Sequence, residues 1–419
     1  MRLVKYIGLF VAVAVVTGAV TLGALVWGPA FLDEPAAAAD SVVVWPEAVS
    51  ERTIPKPPPT VERITLLAVG DLMMHTPQIS SAKTADGYDF TACVAPVAPR
   101  ISAADLAIGN FETVLAGAER GYTGYPTFNS PDSYAEAAVE AGFDVLTHAN
   151  NHTLDRGPTG LARTREVLES FGALTTGTAR TAEEAAEILV ADVRGVRVAV
   201  LAYTYGMNGF TAPSDKPWMV NVINERAMTA DVQRARELGV DLVVVSIHNG
   251  VEYQRQPSAS QAALEQAMVD AGADVVLGSH PHVIQPMTVV AATGTDGSPR
   301  DAFIIHSLGN FVSNQRERFR NTGLMLELGF EKDLKTGVTS LVSAEYVPVW
   351  VDDTGVDGRE HRILPIRDAL DDPEYPGVDA TDRAKLEQAW SDTTMHLGGS
   401  GEQSADPSAV VFWGEPLER

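Results

Sequence analysis

Asp71, Glu112, Asn151, His152, His248, His280 and His282 are side chains of the kinds that hold and use divalent metal ions. Each stands in a short polar segment that follows an apolar run. The first three segments are Gly70-Asp71-Leu72-Met73-Met74-His75, Gly109-Asn110-Phe111-Glu112 and His148-Ala149-Asn150-Asn151-His152. The others are His248-Asn249-Gly250-Val251-Glu252-Tyr253, Gly278-Ser279-His280-Pro281-His282 and His306-Ser307-Leu308-Gly309-Asn310-Phe311. Seven of the nine histidines fall in these segments, and only His361 and His396 do not. Neutral imidazoles, an amide oxygen and carboxylates suit Zn, Mn, Fe or Mg/Ca. A bridging carboxylate would let two such ions share one site, clamp a phosphoryl group and activate a water. No Gly-x-Ser-x-Gly elbow or phosphate-binding glycine loop of the P-loop type competes with that reading.

Taken singly, each piece has a plainer explanation. A His-x-His pair is more often solvated or packed than ligating, and Asp71 could be a strand-end turn residue. Asn150-Asn151 could supply turn geometry, and an isolated Glu112 would be a surface carboxylate. Their joint appearance after successive apolar runs is what points to a metal centre. Glu252, Tyr253 and Asn310 divide evenly between outer-shell support and plain structure.

The elements that must position these side chains are legible as periodicity. Ile64–Val69, Leu106–Ile108, Phe143–Leu146, Val196–Ala202, Leu242–Ile247, Val275–Leu277 and Phe303–Ile305 read as strands. Tyr134–Ala141, Leu161–Phe171, Arg226–Leu238 and Ser260–Ala271 carry helical periodicity between them. Strand–helix alternation predicts an α/β domain whose site lies beyond the carboxyl ends of the strands. After Gly323 two strands, Leu324–Phe330 and Leu341–Val351, follow one another with no helix between, which predicts an antiparallel portion. In the acidic extension of residues 352–419 one helix is expected near Thr381–Trp390, with Trp390 and Trp413 suggesting that it docks.

The chain has 419 residues, 45% of them hydrophobic, enough for a large core. A net charge of −24 excludes a nucleic-acid partner, which needs a basic footprint. The single cysteine, Cys93, excludes both an internal disulfide framework and a thiolate zinc site. Residues 1–27 open with Arg2 and Lys5, and Tyr6 to Trp27 are apolar, small or Thr. That run is about the length of one membrane-crossing helix. Ala37-Ala38-Ala39 would also pass as a cleavage site, but the long apolar run favours an uncleaved anchor. The expected location is therefore the cell membrane, single-pass through residues 6–27, with the main domain extracytoplasmic. Cleavage would make the protein secreted. Residues 28–61, with Pro55, Pro57, Pro58 and Pro59, read as a stiff linker, and residues 62–351 as the globular domain.

The motifs together resemble the CapA/PgsA poly-γ-glutamate capsule biosynthesis proteins of the calcineurin-like metallophosphatase superfamily. Gly-Asp, Gly-Asn-Phe-Glu, Ala-Asn-Asn-His-Thr-Leu-Asp-Arg-Gly, His-x-Gly-x-Glu-Tyr, Gly-Ser-His-Pro-His and Ser-Leu-Gly-Asn-Phe occur in order from Ile64 to Val351. The resemblance implies a four-layer α/β/β/α sandwich holding one or two divalent ions, behind an N-terminal transmembrane helix. It implies Asp71, Glu112, Asn151, His248, His280 and His282 as metal ligands, with Glu112 where the superfamily uses a bridging Asp. His152, with Asp71, would be catalytic, acting on the leaving group. Asn110, Asn150, Asp155, Glu252, Asn310 and His75 would line the site. Two departures stand out. The superfamily's Asp-x-His has Met73 at its second position, leaving His75 as a substitute only if the loop bends back. Asn249 occupies a place where such proteins often carry Trp. Two functions remain open from sequence. One is a metal-dependent hydrolase of a phosphoester or related bond. The other is a non-catalytic assembly or export component that binds an anionic polymer through the metal, working with other capsule synthesis proteins.

Overall fold

The computed structural model describes residues 60–294, 297–353, 361–398, 406 and 409–414. The anchor and most of the linker expected at the N-terminus lie outside the described residues. Among those described, no helix is long and apolar enough to cross a membrane.

The strands in chain order begin with β1 (Val61–Leu72), β2 (Leu106–Phe111), β3 (Val145–Thr147), β4 (Leu174–Thr176) and β5 (Leu189–Val193). Then come β6 (Val196–Thr204), β7 (Leu242–His248), β8 (Val275–Ser279), β9 (Met287–Thr293) and β10 (Pro299–Ile305). The last are β11 (Asn310–Val312), β12 (Thr322–Asp333), β13 (Thr339–Asp352), β14 (Arg362–Pro365) and β15 (Val410–Gly414). One sheet has the order β14-β13-β12-β1-β2-β3-β4, with β11 added to β1 and β15 to β13. The other runs β5-β6-β7-β8-β10-β9. β1 to β4 are mutually parallel, as are β6, β7, β8 and β10, while β12 and β13 form the expected antiparallel portion.

The apolar runs are unbroken because both faces of each sheet are covered. Leu66 and Ala68 of β1 pack in one core with Val198, Val244 and Leu277 of the second sheet. Their neighbours Leu67 and Val69 point the other way, into a core with Tyr134 and Ala138 of helix Asp132–Glu140 and Leu168 of helix Gly157–Ser170. On the far side of the second sheet, Val243 and Val245 meet Met228 and Val232 of helix Glu225–Glu237 and Met268 of helix Ala259–Ala271. Helix, sheet, sheet and helix therefore lie in successive layers.

Phe143 and Asp144 precede β3 rather than forming its start, since the strand is only three residues long. The helix expected near Thr381–Trp390 runs further, Ala380–Leu397, started by an Asp379 side chain that accepts from the Thr381 and Asp382 amides. Leu386 and Ala389 of that helix pack on Trp350 of β13, and β14 and β15 pair with the same strand. The acidic extension thus contributes to the first sheet and its outer layer.

Candidate metal centre

The carboxyl ends of both sets of parallel strands meet at one edge, where a residue's place in the register decides what it touches. Asp71 is paired across the sheet with Asn110 of β2 and Asn310 of β11, and His248 with Ser279 of β8. Two glycines allow the backbones to come this close. A Cβ at Gly70 would sit 1.8 Å from the Gly309 carbonyl oxygen, and one at Gly278 would sit 1.9 Å from that of His306. The Gly-Asp and Gly-Ser-His motifs are thus packing requirements of the site.

Glu112 lies at the centre. It is fully buried, and its Oε1 has no hydrogen-bond partner among the described residues. His248 Nε2 lies 3.7 Å from that oxygen on one flank and His282 Nε2 3.9 Å on the other. Asn151 Oδ1 is 2.9 Å from His248 Nε2, and Asp71 Oδ2 is 2.9 Å from His282 Nδ1. The His280 ring stands 4.9 Å from that of His248 and 5.8 Å from that of His282. Ligating atoms of Asp71, Glu112 and His248 fall within 4.8 Å of one another, as do those of Glu252, His280 and His282. The six ligands expected from sequence are brought together, with Glu252 joining them from the surface.

Burial without balancing charge shifts these groups in a consistent way. Desolvation, and then the like charge of Asp71, raise the Glu112 carboxyl well above the usual carboxylate range. Burial lowers His248 well below the usual imidazole range, and His280 and His282 beside it add to the effect. Burial likewise lowers His280 to about 3. The His248 and His280 imidazoles are therefore held neutral, the ligating form, and the orphaned Glu112 oxygen and the partnerless His280 Nδ1 lack what a cation would supply. The residues fit a divalent ion.

The surrounding polar groups orient this set. Asn110 Nδ2 donates to Asp71 Oδ1 at 2.8 Å and lies 3.4 Å from Glu112 Oε2. Ser279 Oγ is 2.9 Å from His248 Nδ1 and is placed to accept that ring's proton when Nε2 binds a metal. Asn310 holds His282 from two sides, through Nδ1 at 3.1 Å and the backbone carbonyl at 3.3 Å. Asn151 Nδ2 donates to Asn208 at 3.3 Å, turning Oδ1 inward. His280 and His282 both have positive φ, 97° and 56°, a costly conformation for residues with a Cβ and one that recurs at functional sites.

His152 is buried beside the ligands. Its Nδ1 lies 2.8 Å from Asp155 Oδ2, which also accepts from the Phe128 amide at 2.7 Å. A carboxylate can only accept, so Nδ1 carries the proton and Nε2 is the nitrogen left for exchange. Asn150 braces the loop: its Nδ2 donates to the Phe111 carbonyl and its Oδ1 accepts from the His152 amide.

His75 belongs to neither ligand group. It precedes helix Thr76–Ser81, and its Nδ1 accepts from the Asn314 amide and meets Gln78. It does not bend back to take the place held by Met73. His148 and His306 likewise sort with the strand ends yet have other partners, the Thr113 carbonyl and Glu265. Two residues absent from the sequence reading also belong here, Tyr205, whose ring is 4.6 Å from that of His280, and Asn208; Ser279 enters that reading only as part of a motif. Applying the strand-end rule to the run ending at Thr204 would have found Tyr205.

The chain matches the family model described as bacterial capsule synthesis protein PGA_cap over residues 65–315. It belongs to that family, as the motifs had indicated. Capsule biosynthesis protein CapA of Bacillus anthracis is 34% identical over 264 residues, 61% of each chain. PGA biosynthesis protein CapA of Bacillus subtilis (strain 168) is 30% identical over 254 residues, 59% of this chain and 62% of that one. The match thus spans about three-fifths of the length of these relatives. A crystal structure of a phosphatase from Mycoplasma pneumoniae has a TM-score of 0.42 at 15% identity, covering 69% of this chain and 94% of that one.

Proposed function

We propose that this protein is a divalent-metal-dependent hydrolase of the metallophosphatase type, serving poly-γ-glutamate capsule biosynthesis. It works outside the cytoplasm from an anchor at residues 6–27, beside other capsule synthesis proteins. The observation that carries the reading is Glu112 Oε1, buried, partnerless and set between His248 and His282. Asp71, Glu112, Asn151, His248, His280 and His282 would hold one or two divalent ions, with Glu252 within reach of His280 and His282. Such ions supply Lewis acidity and a more acidic water. Asp155 keeps one proton on His152 Nδ1, so Nε2 is the atom that would take up a second proton from solvent and pass it to a leaving oxygen, with the Asp155 carboxylate balancing the ring's charge in between. Asn110 keeps the Asp71 and Glu112 carboxylates in place while this happens.

The deciding measurement is turnover of a phosphodiester and of poly-γ-glutamate by the purified full chain, with Mn, Zn or Mg added. His152→Ala is expected to lower turnover at least about 100-fold while bound metal is unchanged. A second reading is favoured by the names of the relatives, which speak of biosynthesis: a polymer-holding component that performs no hydrolysis. The net charge of −24 fits it, because a polyanion would need a metal to approach so acidic a chain. Polymer binding by metal-loaded protein with no turnover of either compound would establish that reading over the first.

A further inference from the structure

A cavity of about 250 Å³ lies beside the metal centre and is lined by none of its ligands. Arg255, Arg316, Arg318 and Lys385 contribute to its wall, with Phe319 and Asp392 between them. In a chain carrying −24, four cations share this wall with one lining carboxylate, while Asp353 and Asp382 pair with two of them from outside it. We propose that this cavity is an oxyanion-binding site, taking a carboxylate or phosphate group.

The geometry of the cations carries the argument. The guanidinium carbons of Arg255 and Arg318 lie 4.2 Å and 4.8 Å from the centre of the same Phe319 ring. Two like charges on one ring repel, so the arrangement needs anions nearby. Asp392 supplies one, accepting from Arg318 Nη2 at 2.6 Å and Nε at 2.8 Å. That carboxylate is committed to Arg318. Arg255 Nη2 instead donates to the Asp392 backbone carbonyl at 3.1 Å, and among the described residues no carboxylate lies within ion-pair distance of Arg255. Its planar fork is held over the ring with no direct carboxylate partner among the described residues and with Asp392 acting on it only at longer range, a state in which an arginine can recognise a carboxylate or phosphate edge-on. Lys385, reaching in from helix Ala380–Leu397, adds a point charge 5.6 Å from the Trp350 ring; its Nζ is 3.3 Å from Asp382. Arg316 lies 3.1 Å from Asp353.

The cavity also stands in a defined relation to the metal centre. Tyr253, two residues before Arg255, has its ring 6.3 Å from that of His282, and Arg320 stacks over it at 3.5 Å. The Arg320 carbonyl in turn accepts from Asn310 Nδ2 at 2.7 Å. One wall therefore separates the two sites. A ligand with several anionic groups could place one in the cavity and another at the ligand cluster. The cavity site itself does not depend on the metal centre being catalytic.

Titration of the chelator-treated full chain with inorganic phosphate and with citrate, followed by calorimetry at low and high salt, tests the proposal. Saturable binding that weakens with salt is expected. Preference for phosphate would identify a tetrahedral group as the natural ligand, and preference for citrate a carboxylate. Arg255→Gln should weaken binding at least tenfold, Arg255→Lys should restore part of it, and His280→Ala should leave it unchanged. Thermal unfolding of each variant separates lost binding from lost folding. Should Arg255→Gln melt early, Lys385→Gln on an exposed stretch of helix gives the same reading. The proposal is overturned if neither anion binds saturably. It also fails if folded Arg255→Gln and Lys385→Gln proteins bind as the parent does, or if only His280→Ala abolishes binding.

Discussion

The two flanks of Glu112 are built differently. On the His248 flank every contributor is buried: His248 and Asn151 are both under 5% exposed. Each has an orienting neighbour, Ser279 for His248 and Asn208 for Asn151. On the His282 flank Asp71 is equally buried, but the position two residues on is Met73, and the carboxylate that approaches from outside is the exposed Glu252. A dry, braced shell fixes an ion in one geometry, whereas a shell closed by an exposed carboxylate holds it less tightly. The contrast predicts that metal is held more tightly through the His248 flank than through the His282 flank.

The largest effect should come from breaking the tight flank. His248→Ala is expected to lower affinity for metal by more than about 100-fold, above the range of outer-shell losses; metal content after dialysis reads this directly. Removing the shared carboxylate should act on both flanks and abolish a pH dependence. Because the Glu112 carboxyl is raised, it holds a proton at pH values where an ordinary carboxylate has lost it, and a metal must displace that proton. Affinity should therefore climb as pH rises through the raised value, with proton release measurable by calorimetry in buffers of different ionisation enthalpy. Glu112→Gln should bind weakly and lose that release.

Asn110→Ala leaves every ligand in place but frees the Asp71 and Glu112 carboxylates. A drop of about 10- to 100-fold in metal affinity is expected, and a change below twofold would mean that the register alone positions the carboxylates. The smallest effect belongs to the outer flank: Glu252→Ala should weaken metal binding by only about threefold. A loss in that variant as large as in His248→Ala would end the distinction between the flanks.

Most of the ligand set was legible because metal chemistry restricts residue types, and because strand–loop alternation puts the loops at one edge. Asp71, Glu112, Asn151, His248, His280 and His282 could be collected without knowing any distance. Periodicity could not separate His148 and His306 from them. Both follow strands as the ligands do, yet they end up bonded to the Thr113 carbonyl and to Glu265. Nor could it assemble the basic cavity. Arg255, Arg318 and Lys385 come from three distant stretches and look like ordinary surface charge until they are assembled.

By itself, the sequence determined the family, the layered α/β plan and the chemical nature of the centre. These depend on composition, period and the order of motifs, which are local properties of the chain. The tertiary structure alone decided how the residues divide. It set Glu112 between two flanks, gave Asn110 rather than His75 the contacts that orient the carboxylates, and drew Glu252 in from the surface. The physical reason is that such assignments depend on sheet register and loop curvature, which bring together atoms more than a hundred residues apart.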